Sequence, residues 1–489
     1  MKSLVCSIAG SDSSGRAGVQ ADIKTFHALG VHGATIVTAV TAQNAKGLSD
    51  IQFIDIAPQL AALEPSALPL AIKLGMLGHA SIIAALLPFL ETYPGKVVLD
   101  PVLVTTSGGN LFGESLSTYL TQLKKLFPYV DVLTPNLPEL EHLLNRPITS
   151  HLDMEQGARE LLSLGVKSVL VKGGHHGHDV FAQDYWTNGK ESCWLSSQRY
   201  TQESFSGTGC TLSSALAAAL ALGYEIKDAL VIAKMYVNQA IRLCIQEQHT
   251  HAVLKNTLHH AGWPADEVDL PFVSAKPLRE LPKAFPRVPA IGLYPIVDSV
   301  AWLETLIAEG VTMMQLRVKD KSLNEIESMV QEAIVLAKKN RVQLFINDYW
   351  ELAIRHQAYG VHLGQEDIEK ADIAAILAAG LHLGVSTHSY AELAKAHAVQ
   401  PSYIAFGPIF KTETKQLTTP AQGIARLTDY RRLLSYPLVA IGGINQTNFN
   451  EVLATKVDGV AFISVITKAL DPVAVINNLL TRMQQYAHT

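Results

Sequence analysis

From Ile291 onward the chain repeats one unit eight times: a short apolar strand, polar residues at its end, then an amphipathic helix. The strands expected are Gly292–Val297, Thr312–Leu316, Gln343–Ile346, Gly360–Leu363, Leu381–Val385, Tyr403–Phe406, Leu438–Ile441 and Gly459–Ile463. Eight such units in about 200 residues fit a (β/α)8 TIM barrel, a fold that places its ligands at the C-terminal ends of the strands. The residues at those ends are polar or glycine: Asp298, Gln315, Arg317, Asn347, Asp348, Ser386, Thr387, Gly443 and Ser464.

A barrel of that size leaves about half of the 489 residues unexplained, so a second domain is required. Short apolar runs alternate with longer amphipathic ones in the first half. Strands are expected at Leu4–Ala9, Thr35–Ala42, Ile72–Leu77, Val97–Val104, Val130–Thr134 and Ser168–Val171, with helices such as Met154–Leu164 and Thr211–Leu222. That alternation implies a three-layer α/β/α domain around a mainly parallel sheet. Val180–Trp194, broken at Asn188-Gly189, reads as a hairpin beside it. Between Gly262 and Ala290 lie Pro264, Pro271, Pro277, Pro282, Pro286 and Pro289, a density that opposes helix and gives an extended connection. The expected organisation is a first domain over 1–262, a proline-rich linker over 263–289 and the barrel over 290–489.

Bulk properties narrow the function. Hydrophobic residues make up 48% and charged residues 17%, as in ordinary globular proteins, and the net charge of −5 speaks against a nucleic-acid footprint. Cys6, Cys193, Cys210 and Cys244 are scattered without metal-type spacing, which suits a reducing, cytoplasmic setting. The apolar run near the N-terminus is followed at once by Asp12 and a glycine cluster, so it reads as a first core strand, and no stretch is long enough for a membrane span.

In the first half, Ser206-Gly207-Thr208-Gly209-Cys210-Thr211 leads straight into an alanine- and leucine-rich helix closed by Gly223. Glycines let backbone N–H groups converge, and a helix start adds partial positive charge, so Gly207, Thr208 and Gly209 can form a hole for a transferring phosphoryl group. The same residues would also serve as a tight turn with a small buried residue. Cys210 sits where the helix field would lower a thiol pKa, which favours a base role. Asp100 ends one strand and Thr134–Glu139 the next, so carboxylates at neighbouring strand ends can hold hydrated Mg²⁺ beside nucleotide phosphates. His175, His176 and His178 suit a solvated loop better than a metal site.

These motifs closely resemble the hydroxymethylpyrimidine/phosphomethylpyrimidine kinases of the ribokinase-like superfamily over residues 1–262. The resemblance rests on the A-G-S-D-S-S-G-x-A-G-V-Q-A-D start, Thr41-Ala42-Gln43-Asn44, Lys73-Leu74-Gly75-Met76-Leu77, Thr134–Glu139, Lys172-Gly173-Gly174-His175 and the G-T-G-C turn. It implies two successive ATP-dependent phosphorylations, with Gln43 on the aminopyrimidine, Cys210 as the base, and Asp100, Asn136, Glu139 and Lys172 in the Mg²⁺ and nucleotide region. The chain departs from the family at Thr106, where a lysine is usual, and at Ser206, where histidine is usual; a lost cation there bears on the second phosphorylation. A related vitamin-type kinase, acting for example on pyridoxal, is the alternative for this half.

In the second half, Gln315-Leu316-Arg317-Val318-Lys319 has period two, which turns Gln315, Arg317 and Lys319 toward the barrel mouth, either to neutralise a diphosphate or as a solvated strand end. Asp348 and Asp367 follow adjacent strands and could share one octahedral Mg²⁺. The set resembles thiamine phosphate synthase over residues 290–485, with Q-L-R-x-K, N-D, G-V-H-L-G-Q-E-D, G-V-S-T-H, G-P-I-F-x-T-x-T-K and I-G-G-I in sequence order. The resemblance implies that Gln315, Arg317, Lys319, Asn347, Ser386 and Lys415 contact a pyrimidine diphosphate. It also implies that Asp348 and Asp367 hold Mg²⁺ and that Thr412, Thr414, Gly443, Ile463 and Ser464 hold a thiazole phosphate. The partners implied are small molecules, with no nucleic acid and no membrane; a homo-oligomer is possible.

Overall fold

The strands of the first half form one ten-stranded sheet and those of the second a closed barrel. The structure, a computed structural model, describes residues 2–44, 47–103, 113–174, 180–200, 205–247, 257–411 and 420–487. Thr106, His175, His176, His178, Thr412, Thr414 and Lys415 lie outside the described residues.

In the first unit the strands are β1 (Leu4–Asp12), β2 (His32–Asn44), β3 (Gly47–Phe53), β4 (Ala71–Leu74), β5 (Lys96–Leu99), β6 (Val132–Leu133), β7 (Val169–Val171), β8 (Phe181–Thr187), β9 (Ser192–Gln198) and β10 (Phe272–Ser274). Their order is β10-β9-β8-β7-β6-β5-β4-β1-β2-β3. The strands from β7 through β4 and β1 to β2 are parallel, while β3 and the β8–β10 ribbon are antiparallel additions at the two edges. The chain passes from β1 to β2 on one side and returns to β4 on the other. The crevice above β1 and β4 is therefore the topological switch point, where open α/β sheets bind ligands.

Helices cover both faces of this sheet. Ile82, Ile83, Leu86 and Leu90 of one helix, with Tyr119, Leu123, Leu140 and Leu161 of others, bury one face together with Ile8, Ile72, Leu74 and Leu99. On the other face, helix Thr208–Ala221 packs on β1, β4 and β5 and against helices Gly18–Ala28 and Ile226–Glu247. Every residue from Thr211 to Ala221 is buried, as small side chains all round permit for a helix enclosed by sheet and helices.

The segment expected as a linker is not all connection. Phe272–Ser274 pairs with β9, and Phe272 and Val273 are buried. Pro271 and Pro277 flank this edge strand instead of interrupting it, so proline density did not prevent pairing. Arg242 further ties Asp269 to helix Ile226–Glu247 through two bonds of 2.9 and 2.6 Å. The first unit accordingly runs to Leu281, with Ala265–Glu267 assigned to the second.

In the second unit β11 (Gly292–Val297), β12 (Met313–Leu316), β13 (Gln343–Asn347), β14 (Gly360–Leu363), β15 (His382–Thr387), β16 (Tyr403–Phe406), β17 (Leu438–Ala440) and β18 (Gly459–Phe462) close in sequence order. All are parallel, and β18 pairs back onto β11. Tyr294, Ile296, Met313, Phe345, Tyr403, Ala405, Val439 and Ala461 fill the interior. The aromatic members meet edge to face, with ring centroids of Phe345 and Tyr403 5.2 Å apart. Among the described residues no helix is long and apolar enough to cross a membrane.

Candidate active sites

In the first unit the C-terminal strand ends converge on the switch point. After β1, the Asp12 carboxylate accepts hydrogen bonds from the Ser14 N–H (2.8 Å), the Ser14 hydroxyl (2.9 Å), the Arg16 N–H (3.1 Å) and the Ala17 N–H (2.8 Å), which folds the glycine-rich turn. Burial works to raise this carboxyl, but hydrogen bonds from Gln43, Ser14 and Ala17 outweigh it and hold it below its ordinary range. Gln43 is locked to the same turn: the Ser13 hydroxyl donates to its carbonyl at 2.9 Å and accepts from its N–H at 3.0 Å.

The glycine turn before helix Thr208–Ala221 lies directly on that loop. Gly207 has φ +82°, and a Cβ there would overlap the Arg16 carbonyl oxygen. Only glycine permits both the left-handed backbone and this approach. Thr208, Gly209 and Cys210 then form the first turn of the helix. Beneath Gly209 lies an ionic cluster: Lys172 Nζ is 2.7 Å from Asp100 Oδ1 and 3.9 Å from Glu139 Oε2, and the Ser213 hydroxyl donates to Asp100 Oδ2 at 3.3 Å. Asn136 and Glu139 cap their helix reciprocally, at 2.9 and 2.8 Å, which fixes the Glu139 carboxylate. Burial, with the Asp100 charge adding to it, pushes Glu139 up to about 6 against the pull of Lys172. The Lys172 ammonium lies between these two carboxylates.

The expectation of a depressed Cys210 pKa is not met. Burial pushes the thiol up to about 11, and the opposing effects of Lys73 and of the Gly18 N–H do not offset it. Cys210 keeps some exposure, but protein atoms crowd the thiol, and loss of solvation there outweighs the partial charge of the helix start. Sequence reasoning also missed what lies below. Lys73 and Asp22 form a fully buried ion pair (3.0 and 2.8 Å), and Asp22 also accepts from the Ser7 hydroxyl (2.5 Å) and the Ser214 hydroxyl (2.7 Å). Lysine in the apolar strand Ala71–Leu74 was the available signal, because a buried cation demands a partner.

In the barrel the candidate residues are the next inward positions above the packed interior. Period two carries Met313 to Gln315, Phe345 to Asn347, Gly384 to Ser386, and Ala461 to Ile463. Above them, Arg317 and Lys319 both act on Asp348. Burial raises the Asp348 carboxyl, the charge of Asp367 and a hydrogen bond with it raise it further, and the two cations pull it back only in part. Asp348 also has φ +65°, an unusual backbone for a residue other than glycine. Gly443 follows β17 with φ +68°, and its carbonyl accepts from the Asn448 amide at 3.0 Å. Ser464 begins the short helix after β18. Among the described residues no group of three or more His, Cys, Asp or Glu side chains is arranged to hold a metal.

The structure buries His362, the histidine of the G-V-H-L-G-Q-E-D motif, between Tyr403 and Ser386. The period-two step from Gly360 would have pointed it inward.

Comparison with known proteins follows the same division. A model of the phosphomethylpyrimidine kinase family matches residues 12–255, and a model of the thiamine monophosphate synthase family matches residues 293–466. The thiamine-phosphate synthase of Salmonella dublin is 55% identical over 189 residues, 38% of this chain and 90% of that protein. The phosphomethylpyrimidine kinase structure from Clostridium difficile 630 shares 38% identity, covering 49% of this chain and 100% of its own, with a TM-score of 0.43. The pyridoxal kinase structure from Staphylococcus aureus with AMP-PCP and pyridoxal shares 32% identity over 50% of this chain and 88% of its own, with a TM-score of 0.45. The chain belongs to the phosphomethylpyrimidine kinase family through its first unit and to the thiamine-phosphate synthase family through its second, and is a bifunctional transferase of thiamine biosynthesis.

Proposed function

We propose that the first unit phosphorylates 4-amino-5-hydroxymethyl-2-methylpyrimidine and then its monophosphate, with ATP as donor, and that the second couples the resulting diphosphate to thiazole phosphate. In the first unit Gln43 contacts the aminopyrimidine, and the N–H groups of Gly207, Thr208 and Gly209 receive the transferring phosphoryl group. Lys172, set between Asp100 and Glu139 and next to Asn136, presents its ammonium to the nucleotide phosphates. Cys210 stands at the transfer point. Its thiol keeps its proton in the free protein, so a base role requires that the bound complex favour the thiolate.

In the second unit Gln315 and Asn347 hold the pyrimidine, while Arg317, Lys319, Ser386 and Lys415 hold its diphosphate. Thr412, Thr414, Gly443, Ile463 and Ser464 receive the thiazole phosphate. The C–O bond to the diphosphate breaks with its electron pair leaving on oxygen, and the thiazole nitrogen then forms the new C–N bond; no nucleophile of the protein is needed. The donor set at Asp348 and Asp367 fits Mg²⁺. Two carboxylates pressed together, one with its pKa raised by the other, are the arrangement that a divalent cation relieves, and Mg²⁺ commonly takes only one or two protein carboxylates with phosphate and water completing its shell. Bound there, Mg²⁺ would add charge neutralisation of the leaving diphosphate.

The observation that carries this reading is the convergence of Arg317, Lys319, Asp348 and Asp367 above a fully packed barrel interior. Mass spectrometry of products from hydroxymethylpyrimidine, thiazole phosphate, ATP and Mg²⁺ tests it. Thiamine phosphate with release of diphosphate is the expected result. Failure to form it, or phosphorylation of pyridoxal in preference to the pyrimidine, would overturn the reading.

A further inference from the structure

Five side chains form an unbroken hydrogen-bonded chain across the top of the barrel interior. Gln315 Nε2 donates to the Tyr294 hydroxyl at 3.1 Å, and the Tyr294 and Tyr403 hydroxyls are 2.7 Å apart. His362 Nδ1 is 2.7 Å from the Tyr403 hydroxyl, and His362 Nε2 is 2.8 Å from the Ser386 hydroxyl. The residues come from β12, β11, β16, β14 and β15, so the chain is a property of the closed barrel and not of any one strand.

One order of protons runs the length of this chain. With the Gln315 amide donating to Tyr294, the Tyr294 hydroxyl is free to pass its proton on to Tyr403. Tyr403 in turn gives its proton to His362 Nδ1. A neutral imidazole that accepts from Tyr403 at Nδ1 carries its one proton on Nε2. That N–H donates to the Ser386 oxygen, which leaves the Ser386 hydroxyl proton free. The Gln365 amide occupies the neighbouring Ser386 carbonyl at 2.7 Å.

We infer that His362 is a positioning residue of the coupling reaction: by bridging Tyr403 and Ser386 it fixes the Ser386 hydroxyl as a hydrogen-bond donor to the diphosphate of the substrate. The inference rests on the reading of Ser386 given above. It also links the two ends of the substrate, because Gln315, which starts the chain, is the group assigned to the pyrimidine. Room for the relay depends on Gly384, where a Cβ would overlap the Tyr403 ring.

A double-mutant cycle in the full chain, assayed with pyrimidine diphosphate, thiazole phosphate and Mg²⁺, tests this. Ser386→Ala is expected to lower kcat/KM by about 10- to 100-fold, the range for one lost hydrogen bond to a charged group. His362→Gln should cost a similar factor in the native background and less than about twofold on top of Ser386→Ala, since both changes remove the same donated bond. Tyr403→Phe keeps the ring packed on Phe345 and removes only the hydroxyl, so it closes the same cycle if His362→Gln does not fold. Imidazole ¹⁵N shifts of the labelled chain should show His362 protonated at Nε2 and bare at Nδ1. Losses that multiply in the two backgrounds, or a proton on Nδ1, overturn the proposal alone. Unchanged kinetics in Ser386→Ala overturn it together with the reading of the site.

Discussion

The Asp348 and Asp367 carboxyls lie close enough at the mouth of the barrel for the charge of Asp367 to help hold the Asp348 pKa above its ordinary value. Two acids so placed cannot both ionise without penalty, and burial adds to the cost for Asp348. Because its folded-state pKa is raised, the charge of Asp348 at neutral pH works against the fold. Asp348→Asn removes that charge and suits the left-handed backbone there. The variant is expected to raise the melting temperature of the ligand-free chain by about 2–4 °C. It should also lose the stabilisation that added Mg²⁺ gives the native chain, and lose coupling. A thermal melt with and without Mg²⁺ decides it: an unchanged Mg²⁺ response in Asp348→Asn would place the cation elsewhere.

Glu139 provides a pH-dependent counterpart in the first unit. Its folded pKa of about 6 stands above the ordinary value of 4.5, so ionisation at neutral pH opposes stability, and the opposition fades as pH falls from about 6 toward 4.5. Kinase activity should move the other way. Protonation of Glu139 removes half of the anionic frame around Lys172, and the rate is expected to fall about fivefold between pH 6 and pH 5. Glu139→Gln preserves the capping box and should flatten that limb at a lower overall rate. An acid limb that survives the substitution assigns the titration to another group.

Cys210 gives a chemical readout of its own environment. With its thiol pushed up to about 11, alkylation by iodoacetamide at pH 7.5 is expected to be slower than for an exposed cysteine by about 100-fold or more, because the thiolate is the reacting form. Raising the pH should restore the rate. Peptide mass mapping separates Cys210 from Cys193, which is likewise partly exposed. Rapid modification of Cys210 at neutral pH in the ligand-free chain would contradict a desolvated, protonated thiol.

The barrel was legible almost strand by strand. Each of its strands alternates inward and outward residues between turn signals, and closure in sequence order requires only local connections. What escaped depends on contacts between distant residues. Lys73 and Asp22 are 51 positions apart, and nothing local pairs them. Strand β10 has three residues among prolines and exists only because β9 offers a free edge. The Cys210 pKa was misread for a similar reason: the helix start is visible in sequence, whereas burial of the thiol is set by the loop Arg16–Gly18 folded over it. His362 is a different kind of omission, since strand parity alone would have placed it inside.

Gly207→Ala tests how closely the two glycine-rich segments meet. The added methyl would overlap the Arg16 carbonyl and strain a backbone at φ +82°, so the turn must open. The cost is expected at about 1–3 kcal/mol of first-unit stability, with phosphoryl transfer reduced at least tenfold and coupling from supplied diphosphate unchanged. Denaturant unfolding and a kinase assay measure the two effects. Full activity with intact stability would show that the turn relaxes without consequence.

Arg317→Ala examines the division of labour. The guanidinium side chain lies where its charge acts on both Asp348 and His362, between the acidic pair and the relay that leads to Ser386. Removing it strips the mouth of the cation best suited to a diphosphate while leaving the packed interior untouched. Coupling is expected to fall by about 100-fold or more, as for the loss of a charged group that stabilises a developing anion. ATP-dependent phosphorylation of the pyrimidine should persist at the native rate. Assaying the same preparation for diphosphate formation and for thiamine phosphate formation reads both at once. Equal losses in the two activities, with the fold preserved by thermal melt, would show that the kinase and the synthase do not work as independent sites.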